Sequence, residues 1–127
     1  MFKNLEIFQM AGAMARHAET RQTMIAQNVA NADTPGYKAR DIASFAETYR
    51  TQDASTMRST RAGHLTGRSQ PNDTRIIAGA GSESPNGNNV SLETEMVKAA
   101  SVRQEHDQAL AIYQASLGIL RSSLGRR

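Results

Sequence analysis

The chain lacks cysteine and tryptophan, and only 5% of its 127 residues are aromatic. Without cysteine it can form no disulfide, no thiolate metal site and no cysteine nucleophile. The few aromatic side chains and a mean hydropathy of −0.54 leave little material for a large core. With room for one domain at most, the composition argues against a self-sufficient enzyme.

Long apolar runs and dense charge of one sign are also missing. No run approaches the roughly 20 residues of a membrane span, and residues 1–6 lack the apolar region of a secretory signal. The net charge is +3, but basic residues are scattered among acids apart from Arg126 and Arg127. Nucleic-acid binders more often carry a dense basic stripe. We therefore expect no membrane span, no cleaved signal and no nucleic-acid partner.

Helical periodicity is present at both ends. Residues 4–31 are predicted to form a first helix, with Asn4 as its N-cap. Thr34-Pro35-Gly36 should end it, because Pro35 disfavours helical dihedrals at Thr34 and Gly36 readily adopts a positive φ. The apolar positions of this helix recur at steps of three and four and comprise Ile7, Ala11, Met14, Ala18 and Ile25.

A second helix is predicted from Ser91, its N-cap, to the end of the chain, with Glu93 and Glu95 favoured by the helix dipole. Its apolar residues are spaced alternately four and three positions apart if Arg103 and His106 fill two positions of the row. This spacing is typical of a coiled-coil seam. The predicted seam joins Ile7, Met14 and Ile25 of the first helix to Leu92, Met96, Leu110, Tyr113, Leu117, Leu120 and Leu124, with Ala99 in the same row.

The middle of the chain differs from both ends. More than half of residues 51–89 are Gly, Ser, Thr, Asn or Pro, so the segment cannot bury enough apolar surface to offset its ordering entropy. A short helix is predicted at 41–50, capped by Asp41. The segment could also form a brief pair of strands, around Leu65 and around Ile76-Ile77.

These patterns predict an all-α fold in which two long terminal helices pair as an antiparallel coiled coil. Residues 1–36 form the N-terminal helix region, 37–90 a long, irregular and partly flexible connection, and 91–127 the C-terminal helix.

No catalytic, cofactor or metal site can be assembled from the sequence. His17, His64 and His106 lack ligand spacing, and we expect His17 to be a solvated or interfacial helix residue. Gly79-Ala80-Gly81 lacks the flanking strand and helix of a phosphate loop. We therefore predict no enzyme activity, no cofactor and no small-molecule substrate.

The segment Asn28-Val29-Ala30-Asn31-Ala32-Asp33-Thr34-Pro35-Gly36-Tyr37-Lys38 resembles the N-terminal signature of the flagellar basal-body rod, hook and hook-associated proteins, with its Asn-x-x-Asn-x-x-Thr-x-Gly-Tyr pattern. Residues 86–96 look like the start of the family's C-terminal helix. The short chain is most similar to the proximal rod members, because distal rod and hook members carry large inserted β domains. Within the family, Ala100 to His106 replaces the Ala-x-Arg-x-Tyr-like run expected of FlgC.

The resemblance implies a structural subunit of the rod, exported by the flagellar type III apparatus without signal cleavage. Its terminal helices would form the inner, D0-like wall of a tube that transmits torque. The implied partners are further copies of itself, FlgC-like and FlgF/FlgG-like rod subunits, the FliE adaptor, the MS ring and the export gate.

For the signature, we hypothesise that Asn28 and Asn31 bond neighbouring subunits and that Pro35-Gly36 turns the chain outwards. Tyr37 would wedge the corner against the other helix. Thr34 completes the signature.

Three alternatives remain open at this point. One is a FlgC-like rod subunit. The second is a cytoplasmic helical adaptor or chaperone of a secretion system. The third is a basic nucleic-acid-binding module, whose contacts would be Arg16, Arg21, Lys38 and Arg40.

Overall fold

The computed structural model describes residues 2–54 and 75–125, and in that part of the chain it is mainly helical. The elements follow the order α1 (Phe2–Ala30), β1 (Arg40–Ile42), α2 (Phe45–Ala54), β2 (Ile76–Ala78) and α3 (Leu92–Leu124). The predicted pair of long terminal helices is confirmed, since α1 packs along α3. Among the described helices, none combines the length and apolar character that crossing a membrane requires.

The two long helices run antiparallel, as contacts along their length establish. Near one end Asn28 of α1 meets Glu95 of α3, and near the other the rings of Phe8 and Tyr113 meet edge to face at 5.2 Å. Between these ends the buried core consists of Ala18, Ile25 and Val102, with Ala99 packed against it. Because the side chains are small, the helices approach closely but bury little apolar area per residue.

Most residues of α3 that face α1 lie one position earlier in the sequence than the residues of the predicted seam. Val102 and Ala109 are buried, whereas Met96 and Leu110 are exposed. The prediction followed the large apolar side chains of α3. The contact between α1 and α3 is instead made by small side chains, which permit a close approach. The large apolar side chains beside that contact are thereby left on the surface.

A two-stranded antiparallel sheet lies beside the helix pair. Arg40 pairs with Ala78 and Ile42 with Ile76, so the strand predicted at Ile76-Ile77 exists but pairs with β1. The proposed partner strand at Leu65 lies outside the described residues. The short helix predicted at 41–50 is corrected to Phe45–Ala54, because Asp41 belongs to β1 and does not cap a helix.

The helix boundaries follow local chemistry. Ser91 caps α3 as predicted, its hydroxyl accepting from the N–H of Thr94 at 3.5 Å. At the other end the N–H of Gly125 donates to the carbonyl of Arg121 at 2.8 Å. The start of α1 at Phe2 places Asn4 inside the helix, so Asn4 is not its N-cap.

Candidate functional site

Polar side chains converge where α1 ends and α3 begins, and Asn28 lies at the centre. This residue is fully buried, with 0% of its surface exposed. Its Nδ2 donates to the carbonyl of Arg40 at 2.7 Å and to Oε2 of Glu95 at 3.1 Å. Its Oδ1 accepts from the N–H of Arg40 at 3.1 Å and the hydroxyl of Tyr37 at 3.2 Å. A primary amide offers two donor hydrogens and two lone pairs, and Asn28 uses all of them within the chain.

Asn88 performs a second bridging role just before α3. Its Nδ2 donates to the carbonyls of Asn31, Ala32 and Thr34 at 2.9, 2.8 and 2.8 Å. Its Oδ1 accepts from the N–H of Val90 at 2.8 Å. These carbonyls belong to the turn that follows α1, which ends at Ala30. Asn88 therefore ties that turn to the start of α3 from more than fifty residues away along the sequence.

Two glycines let these segments meet. Gly36 has φ +73° and Gly87 has φ +84°, and they are the positive-φ residues of the described chain. The N–H of Gly36 donates to the carbonyl of Asn86 at 3.0 Å. A Cβ on Gly87 would lie 3.3 Å from the Cα of Gly36. Both the backbone conformation and the close approach favour glycine at position 87.

A chain of ion pairs continues from Asn28 across three elements. Oε1 of Glu95 lies 3.0 Å from Nζ of Lys98, which lies 3.1 Å from Oδ2 of Asp41. Oδ1 of Asp41 lies 3.2 Å from Nε of Arg21, whose Nη1 lies 3.5 Å from Glu105. Glu95 is 2% exposed, and burying a charge is tolerated when it is paired and hydrogen-bonded. The ion pairs therefore tie β1 to both long helices.

The charges of this network stabilise one another. Burial alone would raise the pKa of Asp41, but the N–H of Ile42 and the side chains of Arg21 and Lys98 together hold that pKa below its ordinary value. Burial opposes the charged form of Lys98 as well, yet Glu95 and Asp41 raise the pKa of Lys98 above its ordinary value. Both groups are thus held in their charged forms at neutral pH.

His17 anchors the connection between β1 and α2. Its Nε2 lies 2.8 Å from the carbonyl of Ala43, and its ring meets that of Phe45 at 5.7 Å. A carbonyl only accepts, so Nε2 carries the hydrogen. Nδ1 is buried and has no hydrogen-bond partner among the described residues. The expectation of a solvated or interfacial residue is corrected: His17 is buried within the chain.

The remaining signature residues make local contacts. The hydroxyl of Thr34 donates to Oδ1 of Asn31, and Nδ2 of Asn31 donates to the carbonyl of Gln27 at 2.8 Å. Pro35 is exposed in the turn. Tyr37 is half-buried, and its hydroxyl donates to Oδ1 of Asn28 of α1.

The predicted seam positions fall into two groups in the structure. Ile25 is buried, and Met14, Leu117 and Leu120 are half-buried. The other six are exposed on the surface of the chain: Ile7, Leu92, Met96, Leu110, Tyr113 and Leu124.

Sequence reasoning missed Asp41, Lys98 and Asn88 as members of this site. Their partners lie far away along the chain, so no local pattern marks them. The run Asn86-Gly87-Asn88-Asn89 was the available signal, because such residues concentrate in turns that bond the backbone.

The contacts of this site are hydrogen bonds and ion pairs that join distant segments of the chain. In the part of the chain that the structure describes, no group of three or more His, Asp or Glu side chains is placed to hold a metal ion. The cations suggested for nucleic-acid binding are partly engaged, since Arg21 pairs with Asp41 and Lys38 with Glu83. The arrangement joins β1 to both long helices.

The chain is similar in sequence to known flagellar proteins. A family model described as "Flagella basal body rod protein" matches residues 10–38, which include the signature. The flagellar basal body rod protein FlgB of Agrobacterium fabrum is 27% identical over 113 residues, covering 81% of each chain. FlgB of Cereibacter sphaeroides is 32% identical over 107 residues, covering 84% of each. The chain therefore belongs to the family of flagellar basal body rod proteins, as a FlgB-like structural subunit of the rod.

Proposed function

We propose that the chain is a subunit of the proximal rod, which joins neighbouring subunits in the shaft that transmits torque. The observation that carries this proposal is the large apolar surface left by the helix pair. Met96 is 72% exposed and Leu124 is 72% exposed, although both belong to a row with coiled-coil spacing. Exposed apolar surface of this kind marks an interaction site.

We assign residues 1–36 and 91–127 to one inner, D0-like domain and residues 37–90 to the connection between them. The antiparallel packing of α1 on α3 supports this division. In the tube, further helices would cover Ile7, Leu92, Met96, Leu110 and Leu124. Met14, Ile25, Tyr113, Leu117 and Leu120 would support the seam from within the pair.

The signature has a structural task in this proposal. Asn28, Asn31 and Thr34 end α1, Pro35 and Gly36 turn the chain, and Tyr37 braces the turn on Asn28. The bonds of Asn28 and Asn88 support this role, because each joins segments that are distant in sequence. A fixed corner holds the two helices in register for a neighbour.

Export through the flagellar type III apparatus without signal cleavage fits the small core. Few large side chains are buried between α1 and α3, so stability would increase when neighbours bind the folded subunit. The destination is the periplasm-spanning rod. The partners are further copies, FlgC-like and FlgF/FlgG-like subunits, the FliE adaptor, the MS ring and the export gate. The proposed function involves no catalysis, no nucleic acid and no small-molecule substrate.

A photo-crosslinking amino acid at Met96 of the full-length chain, expressed in flagellated cells, tests the proposal. We expect crosslinks to rod or adaptor proteins, identified by mass spectrometry of the envelope fraction. The same group at buried Val102 is the matched control and should crosslink within the chain. Crosslinks from Met96 to cytoplasmic proteins alone would contradict the proposal. The export route is tested by measuring the amount of the chain in the cytoplasm with and without an intact export apparatus. We expect the chain to leave the cytoplasm only when the apparatus is intact.

A further inference from the structure

A tight turn at residues 84–88, which we call the asparagine turn, places an asparagine directly before a glycine. Asn86 is exposed, and Gly87 follows it with φ +84°. The positive φ and the approach to Gly36 favour glycine at position 87. Asn86 is also engaged, because its carbonyl accepts from the N–H of Gly36 at 3.0 Å. The fold thus uses an Asn-Gly pair at a surface turn.

An Asn-Gly pair carries the groups for a reaction with itself. The backbone nitrogen of the glycine can reach the side-chain carbon Cγ of the asparagine, and glycine has no side chain to obstruct the attack. When that nitrogen gives up its proton, it bonds to Cγ, the bond from Cγ to Nδ2 breaks, and the side-chain nitrogen leaves as ammonia with a proton. Water then opens the five-membered imide at either carbonyl and leaves aspartate or isoaspartate. The chain and water are the only reactants, and nothing is oxidised or reduced.

The closed asparagine turn holds both reacting groups. The N–H of Gly87 donates to the carbonyl of Ser84 at 2.8 Å, and the N–H of Ser84 donates to the carbonyl of Asn88 at 2.7 Å. Oδ1 of Asn86 accepts from the N–H of Asn88 at 3.0 Å, which fixes the side chain that carries Cγ. A hydrogen-bonded amide gives up its proton to solvent only when the structure opens locally. The nitrogen of Gly87 therefore stays protonated while the turn is closed.

We propose that Asn86 is a modification site, which loses ammonia and becomes aspartate or isoaspartate, and that the closed asparagine turn keeps it unreactive. The site reacts in a chain that has not yet folded, or when the turn opens. Exposure of Asn86 admits the water that the second step consumes. The inference goes beyond the proposed function and does not rest on it, because the reaction needs no partner protein.

The two products differ in their effect on the fold. Aspartate at position 86 keeps the backbone and offers an acceptor oxygen to the N–H of Asn88. Isoaspartate routes the chain through Cβ and Cγ, which adds one carbon to the backbone and moves the carbonyl that accepts from Gly36. It also displaces Asn88, whose Nδ2 bonds the turn that follows α1. A chain that forms isoaspartate before it folds therefore cannot close the contact between the two turns.

Incubation of the full-length chain in neutral buffer, with and without urea, tests the protection. Peptide mapping by mass spectrometry follows aspartate and isoaspartate at position 86. We expect the reaction of Asn86 to be about tenfold or more slower in the folded chain than in urea. Asn31 is the matched control, because Ala32 follows it with a side chain, and in urea it should react more slowly than Asn86. Equal rates at Asn86 with and without urea, or equal rates at Asn86 and Asn31 in urea, would overturn the proposal.

A second variant opens the asparagine turn without changing the reacting pair. Asn88→Ala removes the bonds to the turn that follows α1 and should speed the reaction of Asn86 in buffer about fivefold or more. Hydrogen exchange at the Gly87 amide, measured on the same samples, should rise in parallel. A rate at Asn86 that stays constant while exchange at Gly87 rises would refute protection by the closed turn.

Refolding of the aged chain tests the effect of the products. After incubation in urea, the chain is returned to buffer, and the folded and unfolded fractions are separated by size and mapped. We expect isoaspartate at position 86 to be depleted about fivefold or more in the folded fraction, while aspartate is retained there. Asn86→Asp, the matched control, should refold as the wild type does. Equal shares of isoaspartate in the two fractions would overturn the predicted effect on the fold.

Discussion

The amide of Asn28 pairs with the backbone of Arg40 as a neighbouring strand would. Nδ2 donates to the carbonyl of Arg40, and Oδ1 accepts from its N–H, at 2.7 and 3.1 Å. One side chain of α1 thereby satisfies the edge of β1 that faces away from β2. Asn28 therefore acts as an internal clamp, which holds β1 against the helix pair.

Asn28→Ala should be the most damaging single change in the signature. It leaves both backbone groups of Arg40 and one oxygen of buried Glu95 without their partner. Unsatisfied buried groups cost about 1–3 kcal/mol each, and we expect a loss of about 3 kcal/mol in the free energy of unfolding. Urea denaturation measures the loss, and faster hydrogen exchange at the Arg40 amide locates it. Asn31→Ala removes local hydrogen bonds only and should cost about 1 kcal/mol. Equal losses for the two variants would refute the clamp.

Asn88→Asp should be worse than Asn88→Ala. Both variants lose the donor that serves the carbonyls of Asn31, Ala32 and Thr34. The aspartate also points an acceptor oxygen at these carbonyls, which repel it, although it retains the bond to Val90. Thermal unfolding at neutral pH should rank wild type above Ala and Ala above Asp. The opposite order would mean that the donor of Asn88 does not hold the end of α1.

The two positive-φ glycines should differ in their tolerance of a methyl group. Gly36→Ala meets no atom within 4 Å, so only its φ of +73° opposes it, at about 1–2 kcal/mol. Gly87→Ala adds a contact at 3.3 Å with Gly36 and should cost more. The free energies of unfolding of both variants provide the comparison. Equal losses would show that the close approach of Gly87 to Gly36 does not restrict the side chain at position 87.

Much of the fold follows from local patterns in the sequence. The Ser91 cap and the apolar row containing Ala18 and Ile25 depend on neighbours within one or two helical turns, and both were predictable. The pairing of β1 with β2 and the burial of His17 depend on partners more than twenty residues away. Asp41 illustrates the limit: its sequence context suits a helix cap, but Arg21 and Lys98 hold it in a strand.

Acid should weaken the fold through Asp41. Its pKa lies below the ordinary value of 3.8 in the folded chain. The stability that this carboxylate contributes is therefore present above about pH 4 and is lost as the pH falls through the folded pKa. Asp41→Asn should lower the free energy of unfolding at neutral pH and flatten its fall in acid. Asp107→Asn, at an exposed carboxyl in the middle of α3 with no ion pair among the described residues, is the control and should follow the wild-type curve.

Buried and exposed apolar positions of α3 should separate folding from assembly. Val102→Asp places a charge between Ala18 and Ile25 and should unfold the helix pair, because an unpaired buried charge is strongly unfavourable. Met96→Asp changes an exposed position, so it should leave the circular-dichroism spectrum unchanged and the free energy of unfolding within about 0.5 kcal/mol of wild type. Incorporation of this variant into the rod, and swimming of the cells that express it, should nevertheless be lost. Normal motility of the Met96 variant would show that this surface makes no essential contact.

The composition of purified hook–basal bodies tests the central claim most directly. Quantitative mass spectrometry would follow this chain through removal of the filament, with the cytosol of the same cells as reference. A structural rod subunit predicts that the chain is retained with the stripped rod. Its absence from the rod while it is abundant in the cytosol would contradict the account.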